Sequence, residues 1–161
     1  MIEKKQLLKK KIKIQQVKNK LKLLNGIEIL EIFENDENGR LNEIFSDYYP
    51  VMCSNNTLPH SRLSFESSDL EIFSWIASKM RLENGQEYFF LCNGIWARIR
   101  IINLQWAIKS LWEQNRYKQV KHKIGSLGFL LMEVNLNYIM EAGCDSRDEY
   151  NYLIDIWACT K

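Results

Sequence analysis

The alternation of apolar and polar residues predicts a helix with a capping motif in the segment SSDLEIFSWIASKM. Apolar side chains recur there at helical spacing, which predicts a helix over residues 69–81. Ser68 and Glu71 are three residues apart, as in a capping box, in which each side chain satisfies a free backbone amide of the first turn. The stripe that we expect to be buried consists of Leu70, Phe73, Ile76, Ala77 and Met80.

A second helix is predicted over residues 104–115, in the segment NLQWAIKSLWEQNRY. Asn103 suits the N-cap position, because its side-chain carbonyl accepts a hydrogen bond from a free amide of the first turn. Together with the helix over residues 69–81, this helix is expected to cover a β-sheet. Its inward face is expected to contain Leu104, Ala107, Ile108, Leu111 and Trp112.

Between these helices, the segment EYFFLCNGIWARIRI predicts a β-hairpin. Asn93 and Gly94 tolerate the two positive φ angles of a type I′ turn, which fixes the register of the two strands. In that register Glu87 lies opposite Arg100 and offers it a partner of opposite charge. The face that we expect in the core consists of Tyr88, Phe90, Cys92, Ile95, Ala97 and Ile99.

The last third of the chain returns to strand periodicity. Strands are predicted over residues 127–134, 138–142 and 148–157, with turns between them. In the last strand, Asp148, Tyr150, Tyr152, Ile154 and Ile156 are expected on one face, and Glu149, Asn151, Leu153, Asp155 and Trp157 on the other. The predicted fold class is therefore α+β, with helices packed on an antiparallel sheet built from hairpins.

The first half of the chain is predicted less sharply. The segment GIEILEIFEND alternates apolar and polar residues, which predicts a strand ending in a loop, with a continuing helix as the alternative. Residues 41–62 contain both prolines, Pro50 and Pro59, and predict a long loop, or a short helix followed by a loop. Residues 1–24 are predicted to form a basic amphipathic helix, and residues 25–161 a single α+β domain.

The basic N-terminal helix has three open interpretations. It could be docked on the body with its lysines in solvent, it could lie on a membrane surface, or it could bind nucleic acid. The first is favoured, because the apolar stripe lacks Trp and Phe and the lysines are not interleaved with arginine or aromatic residues. The stripe consists of Leu7, Ile14, Val17, Leu21 and Leu24.

Charge is distributed unevenly along the chain. The formal net charge is +2, yet residues 1–23 contain nine lysines and one glutamate, a balance of +8. Residues 24–78 carry −8, residues 79–132 carry +6, and residues 133–161 carry −4. Residues 1–23 and the rest of the chain, which carries −6 in total, are therefore expected to meet different partners.

Cysteine spacing and hydropathy indicate a cytoplasmic protein. The four cysteines contain no Cys-x-x-Cys pair, so we expect free thiols in a reducing compartment, with no metal site and no cofactor. No apolar run approaches the roughly 18 to 20 residues that span a bilayer. The N-terminus also lacks the apolar core of a signal peptide, so no membrane partner is expected.

The segment EAGCDSRDEYNYLIDIW concentrates acidic and aromatic side chains near the C-terminus. Catalysis is not expected there, because Asp148 and Glu149 lie on opposite faces of the predicted strand and only Glu141 and Asp145 could converge with Asp148. A surface of carboxylates and tyrosines is instead suited to cover the basic active site of a nuclease. The candidate partner-binding residues are Glu141, Asp145, Asp148, Glu149, Tyr150, Tyr152 and Asp155.

Residues 128–157, GFLLMEVNLNYIMEAGCDSRDEYNYLIDIW, resemble a known pattern. They are similar to the C-terminal strand and hairpin of bacterial immunity proteins from contact-dependent growth inhibition and related polymorphic toxin systems. The resemblance implies a small, cytoplasmic, non-enzymatic protein without cofactors. It also implies tight one-to-one binding of a cognate toxin domain, expected to be a nuclease, whose active site is occluded.

Three functional hypotheses follow. The leading one is the toxin-neutralising immunity protein, which requires an exposed acidic surface. The second is a nucleic-acid-binding module, although nucleic acid is not the expected partner; it requires the lysine-rich helix to stand free and to share one positive field with Arg98 and Arg100. The third is a small hydrolase centred on Asp145 and Asp148, which requires a pocket. Beside them stands a structural interpretation, in which the acids only solubilise an edge hairpin.

Overall fold

The computed structural model describes residues 2–34, 39–114 and 128–159, and these confirm the predicted α+β fold class. The described residues form four helices and a seven-stranded antiparallel sheet. Two predicted elements extend beyond the described residues: residue 115 of the helix predicted over residues 104–115, and residue 127 of the strand predicted over residues 127–134. The elements are α1 (Ile2–Lys22), β1 (Ile27–Ile32), α2 (Gly39–Met52), β2 (Ser61–Ser64), α3 (Asp69–Lys79), β3 (Glu87–Cys92), β4 (Ile95–Ile101), α4 (Leu104–Glu113), β5 (Gly128–Glu133), β6 (Tyr138–Gly143) and β7 (Asn151–Ala158).

The sheet has the strand order β1-β4-β3-β5-β6-β7-β2, with every neighbouring pair antiparallel. The β3–β4 hairpin has the predicted register, in which Glu87 pairs with Arg100. Asn93 and Gly94 have the positive φ angles that the turn requires, 49° and 80°. In β7, Tyr152, Ile154 and Ile156 belong to one apolar cluster and Trp157 to the other, as the predicted alternation requires. The strand begins at Asn151 and not at residue 148.

Helices cover both faces of the sheet. On one face α1, α3 and α4 pack against Phe90, Ile99 and Leu131. On the other face α2 packs, through Leu41, Ile44 and Met52, against a separate apolar cluster that includes Trp96 and Met132. The sheet is therefore the middle layer of three, and α2 alone among the described helices covers the second face.

Helix α3 begins as predicted but buries a different stripe. Ser68 accepts a hydrogen bond from the amide of Glu71, and the Glu71 side chain accepts one from the amide of Ser68, so the capping box is confirmed. The predicted stripe is wrong at its first position, because Leu70 is 79% exposed. Trp75 faces the sheet instead, and its indole donates to the hydroxyl of Ser61 in β2 at 2.9 Å. The buried residues of α3 are Ile72, Trp75 and Ile76.

Helix α2 is longer than the sequence analysis predicted for residues 41–62. It includes Pro50 in its last turn, and the loop after it leads into the short strand β2, which pairs with β7. Proline has no amide hydrogen, so the carbonyl of Ser46, four residues earlier, lacks its helical donor. Pro50 and Ser46 are both exposed. The missing hydrogen bond therefore lies on the solvent side of the helix, where the helix tolerates it.

Helix α1 is docked on the body along its second half only. Val17 and Leu21 are buried in the core beneath it, whereas the side chains of residues 2–13 are exposed. Leu7, which was predicted to belong to the buried stripe, is 54% exposed. Lys18 forms an ion pair with Glu34 at 2.6 Å. Within the ranges that the structure describes, no helix combines the length and apolar content needed to cross a membrane.

Candidate functional site

Two carboxyl groups lie side by side beneath α2. Glu141 in β6 and Asp155 in β7 are direct cross-strand partners, and strand alternation points both toward the face that α2 covers. Like charges directly opposite one another destabilise a sheet, so this pair requires compensation. Tyr49 on α2 and Cys53, the residue after α2, supply hydrogen bonds to Glu141. Arg147 in the connection between β6 and β7 supplies the positive charge.

Arg147 joins three separate parts of the chain. Its guanidinium binds both carboxylate oxygens of Asp145 and donates to Asp155 at 2.5 Å. It also donates to the backbone carbonyls of Met52 and Thr57, each at 3.1 Å. The side chain is only 3% exposed. Its donors are thus used to fix the end of α2 and the following loop to the β6–β7 connection.

Glu141 is held by neutral donors. The Tyr49 hydroxyl donates to its two oxygens at 3.0 and 3.2 Å, and the Cys53 thiol lies 3.6 Å from Oε1. Burial is the main cause that raises the pKa of Glu141 to about 7, and the nearby Asp155 adds to it. Burial, together with the charge of Glu141, raises the pKa of Cys53 to about 12 and also raises the pKa of Tyr49.

A cavity of about 360 Å³ opens beside this cluster. Glu141 and Asp145 line it, and the exposed residues Asn93, Gly94 and Ser146 form its mouth. The apolar part of its wall includes Phe45, Leu91, Phe129 and Leu130. The cavity therefore combines an apolar wall with carboxylates, at the end of the sheet where the β3–β4 turn and the β6–β7 connection meet.

The β6–β7 connection is closed by its own hydrogen bonds. Asp145 accepts from the amide of Arg147, and Asp148 accepts from the amides of Tyr150 and Asn151. These bonds, and those with Arg147, keep the pKa values of the Asp145 and Asp148 carboxyls below their usual range although burial opposes them. Tyr150, at the end of the connection, is 75% exposed.

The structure separates the seven predicted partner-binding residues into three sets by their exposure. Glu149 and Tyr150 are exposed, and Glu141, Asp145 and Asp148 are partly buried. Tyr152 and Asp155 are each only 4% exposed, which corrects their assignment to a partner-binding surface. Tyr152 is a core residue because its ring packs edge-on against Phe65 and Trp112, and Asp155 is buried because it pairs with Arg147.

Three further residues of the cluster, Tyr49, Cys53 and Arg147, were not predicted as functional. A signal for Tyr49 existed, since the apolar and aromatic residues of α2 recur at helical spacing. No local pattern places Cys53 beside Glu141, because the two are 88 residues apart. Arg147 belongs to the predicted acidic segment, but the sequence of that segment does not indicate its contacts with α2.

Three groups have donor atoms close enough to hold a metal ion. Oxygen and sulfur atoms of Cys53, Glu141 and Asp155 lie within 4.8 Å of one another. Arg147 already neutralises Asp155, and Tyr49 already donates to Glu141, so a metal ion would compete with existing partners. These three side chains are therefore less available to a metal ion than their spacing indicates.

The arginines of the hairpin are paired with acids. Arg98 binds Glu87 at 2.6 Å, and Arg100 binds Glu87 at 3.0 Å and Glu28 at 2.7 Å. Trp96 is 3% exposed and donates its indole hydrogen to Asn42 on α2. The hairpin face therefore does not offer free guanidinium groups with an accessible indole, as base stacking and phosphate binding would require.

The comparisons with known proteins leave the family open. The chain matches no protein-family model, and it has no match among curated proteins or among solved structures. The resemblance of residues 128–157 to immunity proteins therefore stays a prediction. What the protein does must be argued from the geometry of the described residues.

Proposed function

We propose that the protein is a cytoplasmic, non-enzymatic immunity protein, which binds a cognate bacterial toxin domain, a nuclease, and occludes its active site. The observation that carries the proposal is the β6–β7 connection, which is closed by its own hydrogen bonds and presents Glu149 and Tyr150 to solvent. The acidic cavity at the same end of the sheet extends this surface.

The chemistry of the surface suits a basic partner. A nuclease active site carries lysine or arginine to bind phosphate, and carboxylates take the place of that phosphate. An exposed tyrosine such as Tyr150 provides a rigid aromatic side chain that becomes buried at an interface. Because Asp145 and Asp148 already fix the backbone of the connection, binding costs less ordering entropy than it would for a mobile loop.

The hydrogen bonds of the cluster favour binding over acid–base chemistry. Glu141 accepts from Tyr49 and Cys53, and Asp155 accepts from Arg147, so these groups are engaged with one another. The hydrolase hypothesis paired Asp145 with Asp148. Asp145 instead accepts hydrogen bonds from Arg147, and Asp148 accepts them from Asn151. Both carboxylates are therefore engaged in hydrogen bonds that hold the β6–β7 connection together.

Co-expression with the proteins encoded by the neighbouring open reading frames tests the proposal, since the cognate toxin domain is expected among them. The wild-type protein is expected to restore cell survival and the double variant Glu149→Lys/Tyr150→Ala to lose protection. Charge reversal at Glu149 is expected to slow association in a salt-dependent way, whereas Tyr150→Ala is expected to speed dissociation.

The matched control for this experiment is Glu83→Lys. Glu83 is an exposed acid just before β3, at the opposite end of that strand from the Asn93–Gly94 turn. The control is expected to protect cells as well as the wild type does. Full protection by the double variant, with unchanged association kinetics, would contradict the proposal.

A second candidate function is nucleic-acid binding through α1 alone. Residues 2–13 contain six lysines and one glutamate, and their side chains are exposed. The hairpin arginines do not join them, because Arg98 and Arg100 are paired with acids. Fluorescence anisotropy with a labelled oligonucleotide at several salt concentrations tests this candidate. Binding that is lost in Lys4→Ala/Lys5→Ala/Lys9→Ala would support it, and no binding at low salt would exclude it.

A further inference from the structure

The charges in and beside the cavity leave one carboxyl group without a cationic partner among the described residues. Glu141 and Asp145 line the cavity, and the buried Asp155 and Arg147 lie behind them, which gives three carboxyl groups and one guanidinium. Arg147 directs its charge to Asp145 and Asp155, and its other bonds go to backbone carbonyls. Glu141 is held only by the neutral Tyr49 hydroxyl and Cys53 thiol.

The wall of the cavity is suited to a flat, weakly hydrated cation. The ring of Phe45 lines it and is stacked on Tyr49, with centroids 4.6 Å apart and an interplanar angle of 21°. Leu91 and Phe129 add apolar surface. A guanidinium group stacks on aromatic rings and pairs with a carboxylate through two parallel hydrogen bonds, while its methylene stem packs against apolar side chains.

The volume of the cavity is sufficient for one long side chain. At about 360 Å³ it lies at the lower end of the range for small-ligand sites, and its mouth at Asn93, Gly94 and Ser146 is exposed. A bulky folded surface cannot enter it, but a long side chain that projects from a partner can.

We infer that this cavity receives one arginine side chain of the protein partner, with its guanidinium paired with Glu141 and stacked on Phe45, and its stem against Leu91. The inference rests on the proposed function, since it takes the partner to be a basic protein. It assigns Glu141 the role of binding the partner's charge, and it assigns Phe45 the role of selecting arginine over lysine. The exposed Glu149 and Tyr150 then form the surrounding contact.

The experiment measures binding of a small arginine probe to the full-length protein. N-acetyl-arginine amide is titrated at pH 8, above the pKa of about 7 of Glu141, while backbone amide chemical shifts are followed by NMR. N-acetyl-citrulline amide is the neutral control of nearly equal shape. The arginine probe is expected to shift the amides of Asn93, Gly94 and Glu141, with a Kd of about 1 mM, as for a single side chain. The citrulline probe is expected to bind at least about tenfold more weakly, since it lacks the charge.

Three variants locate the site. Glu141→Gln is expected to weaken binding of the arginine probe about tenfold, and Phe45→Leu about three- to fivefold, because the first removes the charge and the second the stacking. Phe45→Leu also serves if Glu141→Gln fails to fold. Glu83→Gln, at the opposite end of β3 from the cavity, is expected to leave the affinity for the probe unchanged.

The outcomes separate this inference from the proposed function. Equal binding of the arginine and citrulline probes, or unchanged binding by Glu141→Gln, overturns the inference. Stabilisation by Zn²⁺ without binding of the arginine probe also overturns it and assigns the cluster to a metal. If the probe does not bind but Glu149→Lys/Tyr150→Ala loses protection against the toxin, the inference fails and the proposed function stands. If the probe binds in the cavity but no variant affects protection, the proposed function fails.

Discussion

Arg147 and Asp155 form a buried ion pair, with the guanidinium nitrogen 2.5 Å from the carboxylate oxygen and both side chains less than 5% exposed. The pair lies beneath the C-terminal end of α2, whose last residue, Met52, contributes a carbonyl to the same guanidinium. A buried ion pair is costly to break, because each partner is left as an uncompensated charge. The α2 layer and the β6–β7 connection are therefore expected to lose their order together.

Replacement of Arg147 by alanine is expected to destabilise the fold by about 3–5 kcal/mol, since it leaves Asp155 and two carbonyls without their donor. Urea denaturation measures the change. The control is Arg62→Ala, because Arg62 is half exposed and its contact with Asp148 is 3.5 Å, which predicts a loss of at most about 1 kcal/mol. Similar midpoints for both variants would contradict this prediction.

Truncation of Tyr152 is expected to lower the stability of the fold strongly, and truncation of Tyr150 is expected to change it little. Tyr152→Ala removes a buried ring that contacts Phe65 and Trp112, and a loss of about 3–5 kcal/mol is expected. Tyr150→Ala changes a side chain that is 75% exposed, so its effect on stability is expected to be within about 0.5 kcal/mol. Chemical denaturation of the two variants, run side by side, distinguishes a core tyrosine from a surface tyrosine.

The raised pKa of Glu141 predicts a pH dependence of stability. The raised pKa lets the folded protein hold a proton on Glu141 up to about pH 7, whereas the unfolded chain releases it near the ordinary glutamate pKa of 4.5. The stability from this group is thus complete below about pH 4.5 and is lost as the pH rises to about 7, at up to about 1.4 kcal/mol per pH unit. The charged or titratable groups around it are Tyr49, Cys53, Asp145 and Asp155.

Glu141→Gln isolates this contribution, since the amide stays neutral at every pH. As the pH rises from 5 to 7, the unfolding free energy of the wild type is expected to fall relative to that of this variant. The difference between the two is expected to be constant above pH 8. Denaturant titrations at several pH values measure it. A difference that does not change with pH would show that Glu141 titrates normally in the folded protein.

Gly94 is expected to be the sensitive position of the β3–β4 turn. Its φ is 80°, and a side chain there would also approach the Nζ atom of Lys13 at 3.0 Å, so Gly94→Val is expected to cost about 1–3 kcal/mol. Gly39→Ala is the control, because a Cβ at Gly39 meets nothing within 4 Å and the position is helical. An unchanged denaturation midpoint for Gly94→Val would argue against the turn geometry.

The two halves of α1 are expected to differ in their importance for stability. Leu21→Ala removes a side chain that is 2% exposed, and a loss of about 2–5 kcal/mol is expected. Leu8→Ala in the exposed half, where the leucine is 58% exposed, is expected to change stability by less than about 0.5 kcal/mol. Thermal unfolding of both variants measures the difference. A large loss in Leu8→Ala would mean that the first turns of α1 contact the body.

The features that depend on residues close together in the sequence were predicted correctly. The register of the β3–β4 hairpin follows from Asn93 and Gly94, and the start of α3 follows from Ser68 and Glu71. Helix α2 was underestimated because Pro50 was treated as a boundary, although the preceding apolar residues had helical spacing. The spacing was the better guide, since a proline near the end of a helix removes few hydrogen bonds.

The candidate site was predicted only in part, because it is assembled from distant segments. Strand alternation correctly separated Tyr152 from Asp155 onto opposite faces of β7. It did not reveal that α2 would bury one face, which depends on contacts such as the one between Arg147 and the Met52 carbonyl, 95 residues away. Burial of a charged residue requires knowledge of its partner, and a partner that is remote in sequence leaves no local pattern.

The strand order has a consequence for the rate and sequence of folding. The edge strands β1 and β2 pair with β4 and β7, which lie far along the chain, as in the pairs Ile27–Ile101 and Ser61–Ile154. The β3–β4 and β5–β6 hairpins close short loops instead. Because loop closure must precede distant contacts, the hairpins are expected to form first and both edges of the sheet last, with slow folding for a chain of this size. In pulsed hydrogen exchange during refolding, the amides of β1 and β2 would then gain protection after those of β3 and β4.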